Sequence, residues 1–272
     1  MLFDIVPAFI LLLLVLALFI SALGFYKTIF FITLGYAFSI AAMAVVTTIH
    51  YASQLTLGSI LQNVLLLIWS VRLGIYLIQR ETLPAFSNQR KLNQERTARI
   101  TLPIKFAIWA SVSLLYVAMY SPALFVYSHA PVDTDRSLIS WVGVVVMLAG
   151  LVIESVGDQQ KSDFKAKFPK SFCNVGLYRW VRCPNYLGEI LFWVGNWVVG
   201  VAFYSNLAEW AISLIGAVCI TLIMMGSAKR LEASQYERYG DDPNYQTYIR
   251  TVPILFPFVP VYTLKNVRVY LE

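Results

Sequence analysis

Between Tyr178 and Trp193 the chain reads YRWVRCPNYLGEILFW. Arg179 and Arg182 precede Cys183-Pro184, Asn185, Tyr186 and Glu189 follow, and the sequence then turns apolar. Proline suits the first turn of a helix, so Asn185 and Glu189, four residues apart, share one face of its opening turns. The free N–H groups of a helix start, next to guanidinium groups, bind anions. A carboxylate one turn inside an apolar helix is costly unless it is paired or meets water. That cost marks Asn185 and Glu189 as functional candidates.

Two further polar stretches offer matching chemistry. ESVGDQQKSDFKAKFPK places Glu154 and Asp158 at i,i+4, with Lys161 and Asp163 just beyond. Like charges on one helix face repel, so a cation or a ligand donor is expected beside them. SAKRLEASQYERYGDDPNYQTY supplies Lys229, Arg230, Tyr236, Tyr239, Tyr245 and Tyr248. Arginine forks suit phosphates, carboxylates and amides suit ribose hydroxyls, and aromatic rings stack on a base or a nicotinamide. The set Asp158, Lys161, Asp163, Arg179, Arg182, Asn185, Tyr186, Glu189, Lys229, Arg230, Tyr245 and Tyr248 therefore fits a phosphorylated dinucleotide. It also fits an adenosyl sulfonium cofactor, which has less use for so many cations.

The elements that must position these groups are membrane helices. Of 272 residues, 58% are hydrophobic and 13% charged, about half the charge of a soluble domain. The apolar runs are continuous and near twenty residues long, unlike the short alternating strands of a barrel. They predict an all-α polytopic protein, one integral domain with seven spans at about 4–24, 28–49, 57–79, 103–127, 138–158, 186–206 and 208–226, and a tail over 227–272. The first run lacks a basic leader and a cleavage signal, so it reads as a retained helix. With seven spans, the Lys and Arg residues between spans fall on one side. Only Arg136 falls on the other, with Asp4, Asp133, Asp135 and Glu209. The positive-inside rule then places the N-terminus outside and the C-terminus, with all three polar stretches, in the cytoplasm. The net charge of +6 serves orientation in membrane lipid, not nucleic-acid binding; topology alone also calls for arginines at these span ends. Gly143, Gly150 and Gly157, at seven-residue spacing, predict close helix packing.

Several chemistries are excluded. His50 and His129 are the two histidines, too few for a His-rich membrane di-iron oxidase. There is no H-E-x-x-H, no G-x-G-x-x-G, no phosphate-binding P-loop and no G-x-S-x-G elbow. Cys173, Cys183 and Cys219 have no metal or redox spacing, and no metal site is expected.

The stretch FCNVGLYRWVRCPNYLGEILFWVGNW resembles the G-L-[WY]-R-[WY]-[ST]-R-H-P-N-Y-[FL]-G-E signature of the bacterial DUF1295 membrane proteins, within the steroid 5-alpha-reductase C-terminal superfamily. DQQKSDFKAKFP, VRLGIYLIQR and LEASQYERYGDDPNYQTYIRTVPILFPF are similar to further motifs of that family. The resemblance implies a seven-helix protein of the bacterial inner membrane. It would take hydride from NADPH and reduce a carbon–carbon double bond in a lipid-soluble, steroid- or isoprenoid-like enone. The family's Ser-Asp corresponds to Ser162-Asp163, and its Asn-[YF]-Leu-Gly-Glu to Asn185 through Glu189.

Two departures from the family pattern stand out. Cys183 replaces a His that serves the adenosyl site in related membrane methyltransferases. No Asp or Glu occurs between Asp4 and Glu81, although steroid reductases polarise the substrate ketone with an acidic residue and a Tyr from their early helices. Tyr36, Arg72 and Tyr76 are the candidates left for that role. The alternatives are a methyltransferase using S-adenosylmethionine and a non-catalytic lipid-binding membrane protein.

Overall fold

A computed structural model describes residues 6–83, 87–129 and 134–268. Asp4, Asp133 and the side chains of Asp135 and Arg136 lie outside the described residues. The described chain is helical and contains no strand. Its helices are α1 (Phe9–Ser21), α2 (Leu34–His50), α3 (Leu57–Thr82), α4 (Ser87–Thr97), α5 (Leu102–His129), α6 (Thr134–Lys167), α7 (Pro184–Gly200), α8 (Leu207–Tyr239) and α9 (Pro243–Thr251). Five segments are long and apolar enough to cross a membrane: Thr28–His50, containing α2, and those of α3, α5, α6 and α8. This is a multi-pass membrane protein. Of the remaining two expected spans, the first coincides with a shorter apolar helical segment, Phe9–Phe25, and the sixth with α7, 17 residues long.

The largest departures from the hydropathy reading are two helix ends and one additional helix. Helix α6 continues to Lys167 and α8 to Tyr239, because the polar stretches that end the apolar runs are rich in Lys, Gln, Glu and Ala, all good helix formers. At about 1.5 Å per residue, each helix is about 50 Å long and outruns a hydrocarbon core of about 30 Å. Helix α4, SNQRKLNQERT, is polar throughout and leaves no trace in hydropathy. Gly240 closes α8. The Asp242 side chain then accepts the Asn244 N–H at 2.8 Å and Pro243 opens α9.

The chain divides into two compact units. Unit 1 comprises residues 1–144 and 196–216, and unit 2 comprises 145–195 and 217–272. Helices α6, α7 and α8 each contribute to both.

In unit 1, α1, α2, α3 and α5 pack together. Helix α3 is opened by a reciprocal cap between Thr56 and Ser59. Pro122 lies inside α5 and cannot donate to the Ala118 carbonyl one turn back. The Ser121 hydroxyl donates to that carbonyl instead, at 2.9 Å, and also meets Ser213 at 3.0 Å. Gly216 admits the exposed carbonyl: a Cβ there would lie 2.5 Å from it. Freed backbone groups at membrane depth must be satisfied in this way.

In unit 2, α6 and α7 approach backbone to backbone. A Cβ on Gly150 would lie 2.5 Å from the Phe192 nitrogen, and one on Gly188 would lie 2.5 Å from the Glu154 nitrogen. Gly157 faces Asn185 and Pro184. Gly150 and Gly157 of the expected glycine face thus pack against α7. Gly188→Ala should therefore lower the thermal unfolding midpoint in detergent, at a cost of about 1–3 kcal/mol. Gly58→Ala, where nothing lies within 4 Å, should be neutral or slightly stabilising. Equal midpoints for the two variants would refute this account of the helix contact.

Candidate functional site

The last turns of α6 and α8, the entry to α7, helix α9 and the segment after it form one polar pole within unit 2. Its loop turns at Gly176, whose φ of +57° favours glycine. The Gln160 side-chain carbonyl fills the space above that glycine and accepts the Leu177 N–H at 2.8 Å. The Tyr178 hydroxyl donates to the Gly157 carbonyl at 3.3 Å, and the Tyr248 hydroxyl donates to the Tyr178 carbonyl at 2.7 Å. These bonds fasten the loop to α6 on one side and to α9 on the other. Lys165 joins the ends of α6 and α8 by donating to the Tyr239 hydroxyl at 2.7 Å.

The entry to α7 is laced to the segment after α9. Arg182 N–H donates to the Pro253 carbonyl at 2.9 Å and Cys183 N–H to the Ile254 carbonyl at 3.0 Å. The Arg182 side chain, 2% exposed, pairs with Glu232 at 3.3 Å and donates to the Tyr262 carbonyl. The second Glu232 oxygen accepts the Leu264 N–H at 2.9 Å. One buried ion pair thus holds α7, α8 and the C-terminal segment together.

The predicted residues take different places in this frame. Asn185 sits in the first turn of α7 against Gly157. Its side-chain oxygen is shielded from water and has no hydrogen-bond partner among the described residues. Tyr186 and Glu189 are half-buried beside it on α7. Asp158 and Lys161 reach the α7 entry: Asp158 acts on the Tyr178 phenol and Lys161 on the Cys183 thiol. Asp163 is exposed and accepts from Gln159 at 2.8 Å. Arg179 and Arg230 are exposed, with Arg230 donating to Ser227 at 2.9 Å. Lys229 donates to the Val267 carbonyl at 3.0 Å. Tyr245 and Tyr248 pack in a ring cluster around Phe172, at 5.2 and 5.3 Å. The geometry sets Asn185 against Gly157 of α6, brings the charges of Asp158 and Lys161 to bear on Tyr178 and Cys183 at the entry to α7, and turns Arg182 and Tyr248 to holding the pole together.

Charge states follow from burial. Desolvation pushes the Cys183 thiol up to about 12, so it remains a neutral thiol at physiological pH and is no nucleophile. Burial likewise pushes the Tyr178 and Tyr248 phenols upward, which keeps both as donors. Glu154, 4% exposed, lies against Gly188.

A profile for the family described as "Protein of unknown function (DUF1295)" matches residues 22–252. The chain belongs to the DUF1295 family. Among curated proteins, an uncharacterized protein of Schizosaccharomyces pombe is 27% identical over 43% of this chain. The match covers 38% of that relative's length. No solved structure matches.

The remaining candidates of this DUF1295 protein lie in unit 1. Tyr36 is buried, stacked on Tyr116 at 5.3 Å and edge-on to Trp69 at 5.0 Å. Arg72 is half-buried, whereas Tyr76 is 43% exposed. Unit 1 also holds a buried polar network that hydropathy masks. Gln62 donates to Asn196 at 2.8 Å and Asn196 to the Met119 carbonyl at 3.0 Å. Asn63 donates to the Tyr127 hydroxyl at 2.9 Å and accepts from Tyr120 at 3.2 Å. Gln62 and Asn63 form one polar step in an apolar run and Asn196 lies 133 residues beyond Asn63, so spacing along the sequence gives no signal for the cluster.

The clamp at the pole can be tested directly. Glu232→Leu alone leaves the buried Arg182 charge uncompensated and should cost about 3–5 kcal/mol. Adding Arg182→Met should recover much of that loss, read from thermal unfolding and from proteolysis of the segment after α9. Additive costs in the double variant would rule out a direct coupling.

Proposed function

We propose that this DUF1295 protein is a membrane-embedded reductase that uses NADPH to saturate a carbon–carbon double bond in a lipid-soluble enone. The observation that carries the reading is the buried, unpartnered acceptor of Asn185 at the mouth of α7, with Glu189 one turn further on. A buried acceptor without a partner costs about 1–3 kcal/mol. A ligand amide or hydroxyl donating to it removes that cost, and NADPH carries both kinds of donor. Asp158, Tyr186 and Glu189 would take ribose or carboxamide groups, and Lys161, Arg179 and Arg230 the phosphates. The packed frame around them fits such a ligand, because α7 starts at Pro184 and aims its free N–H groups out of the helix.

NADPH, when bound, supplies the hydride. The chain must then place a proton donor at the substrate oxygen, where negative charge develops in a dry site. Tyr36 is the candidate we favour for this, because its phenol is buried among rings while Tyr76 is exposed. Arg72, half-buried on α3, would stabilise charge without giving up a proton. No Asp or Glu lies between Asp4 and Glu81, and Glu81 in the last turn of α3 is paired with Lys27 at 3.0 Å, so the electrophilic group would differ from that of steroid reductases. The proposed orientation, with the polar pole in the cytoplasm, would give the site access to cellular NADPH.

Purified protein in detergent should be stabilised by NADPH, by about 2.7 kcal/mol at a hundredfold excess over its dissociation constant. Asn185→Ala and Glu189→Gln should each abolish that shift while leaving the unliganded unfolding midpoint within about 1 kcal/mol. A shift with S-adenosylmethionine alone would identify a methyltransferase. No shift with either ligand would favour a non-catalytic lipid-binding role.

A further inference from the structure

A second feature of unit 2 lies on the side of the Arg182–Glu232 pair that faces the C-terminal segment. There a pocket of about 340 Å³ is lined by Arg182, Glu232, Tyr236, Tyr245, Arg250 and Lys265, among others. Two buried donors belong to its lining. Arg182 Nε and the Tyr245 hydroxyl are both shielded from water, and neither has a hydrogen-bond partner among the described residues. Arg182 is 2% and Tyr245 0% exposed. The two are direct neighbours: the guanidinium acts on the phenol through its charge and a side-chain contact, although neither the Nε–H nor the hydroxyl completes a hydrogen bond of normal length and angle. The acidic group facing the pocket, Glu232, has its oxygens taken by Arg182 Nη2 and Leu264 N–H. Arg250 and Lys265 stand exposed at the rim, and the Lys265 ammonium lies 4.2 Å from the Tyr236 ring centre.

We propose that this pocket is a phosphate-ester site, with Arg182 Nε and the Tyr245 hydroxyl as its floor and Arg250 and Lys265 as its rim. Arg182 Nε can only donate, and the neighbouring phenol can donate as well as accept, so a single acceptor placed beside both takes a hydrogen bond from each. The charges of Arg182 and Glu232 balance each other, and the two further cations of the lining, Arg250 and Lys265, select an anion. Burial pushes the Tyr245 phenol up to about 12, which keeps it a donor at neutral pH. The volume exceeds what a bare ion fills and falls at the lower end of small-molecule pockets, about 300–1,000 Å³. The walls of Tyr236, Ile249 and Tyr262 suit the organic part of an ester. Rotation of the flexible Lys265 and Arg250 side chains admits a phosphate oxygen to the floor. The argument stands independently of the reductase reading.

The test uses the full chain in detergent, titrated calorimetrically with inorganic phosphate, with a short-chain phosphatidic acid and with NADPH. At least one should bind, and the one that binds names the source: free phosphate, lipid headgroup or nucleotide. Tyr245→Phe, which removes one oxygen, should weaken that binding roughly tenfold. Arg250→Glu with Lys265→Glu, both exposed, should abolish it without unfolding the protein, whereas Lys170→Glu should leave it unchanged. Failure of all three ligands, or equal binding by wild type and rim variant, overturns the proposal. NADPH binding that is lost in Asn185→Ala but unaffected by Tyr245→Phe and the rim variant, with no binding of the other two ligands, overturns the pocket and leaves the reductase reading intact.

Discussion

The polar pole of unit 2 depends on one buried ion pair. Arg182 and Glu232 are both less than a tenth exposed, and each charge would be costly alone. Their geometry recovers the cost by recruiting backbone: Tyr262 offers its carbonyl to the guanidinium, and Leu264 its N–H to the carboxylate. Two main-chain bonds, from Arg182 and Cys183 to Pro253 and Ile254, extend the same lacing. The segment beyond α9 has three prolines, Pro253, Pro257 and Pro260, and little periodicity, so it has no helix of its own to rely on. Its course is set by what Arg182 and Glu232 present to it.

A second constraint works at the level of the backbone. Membrane helices cannot rely on the hydrophobic effect to find each other in lipid, so close packing and hydrogen bonds must do it. In unit 2 the contact is Gly150 and Gly157 against α7, with Gly188 answering from the other side. This closeness is what sets the first turn of α7 directly against α6. Asn185 is shielded from water for that reason, and not because its own neighbours in sequence are bulky. In unit 1 the same demand is met differently, by serines and amides that satisfy carbonyls around the Pro122 break.

The sequence made the helical class, the positions of the apolar runs and the glycine face legible, because hydropathy and small-residue spacing are local signals. The polar extensions of α6 and α8 were hidden by the same signal, since an apolar run ends where its charges begin although the helix does not. Helix α4 has no apolar face to detect. The place of Asn185 and Glu189 in the opening turns of α7 was legible from Pro184. The partner of Arg182 was not. Glu232 stands 50 residues further along the chain, and only the fold brings it near. The tyrosines of the third stretch read as stacking platforms for a ligand; in the structure Tyr239, Tyr245 and Tyr248 gather around Phe172.

Arginines in a signature motif invite assignment to phosphate, and Arg182 shows why that step needs geometry. A guanidinium carries five donors in a fixed fork. Committing one edge to Glu232 and a carbonyl fixes its orientation and neutralises its charge, which argues against a primary role in holding a free anion. The same commitment leaves Nε held rigidly in a dry place, and a preorganised donor loses less entropy on meeting an acceptor than a mobile one. Structural and binding roles are therefore not exclusive here: the pair that anchors the C-terminal segment is also what would make a nearby donor effective. Cys183, next in sequence, lacks that double capacity. Its thiol is buried and neutral at physiological pH, so whatever an imidazole contributes at this position in related proteins must come from another group or not be needed.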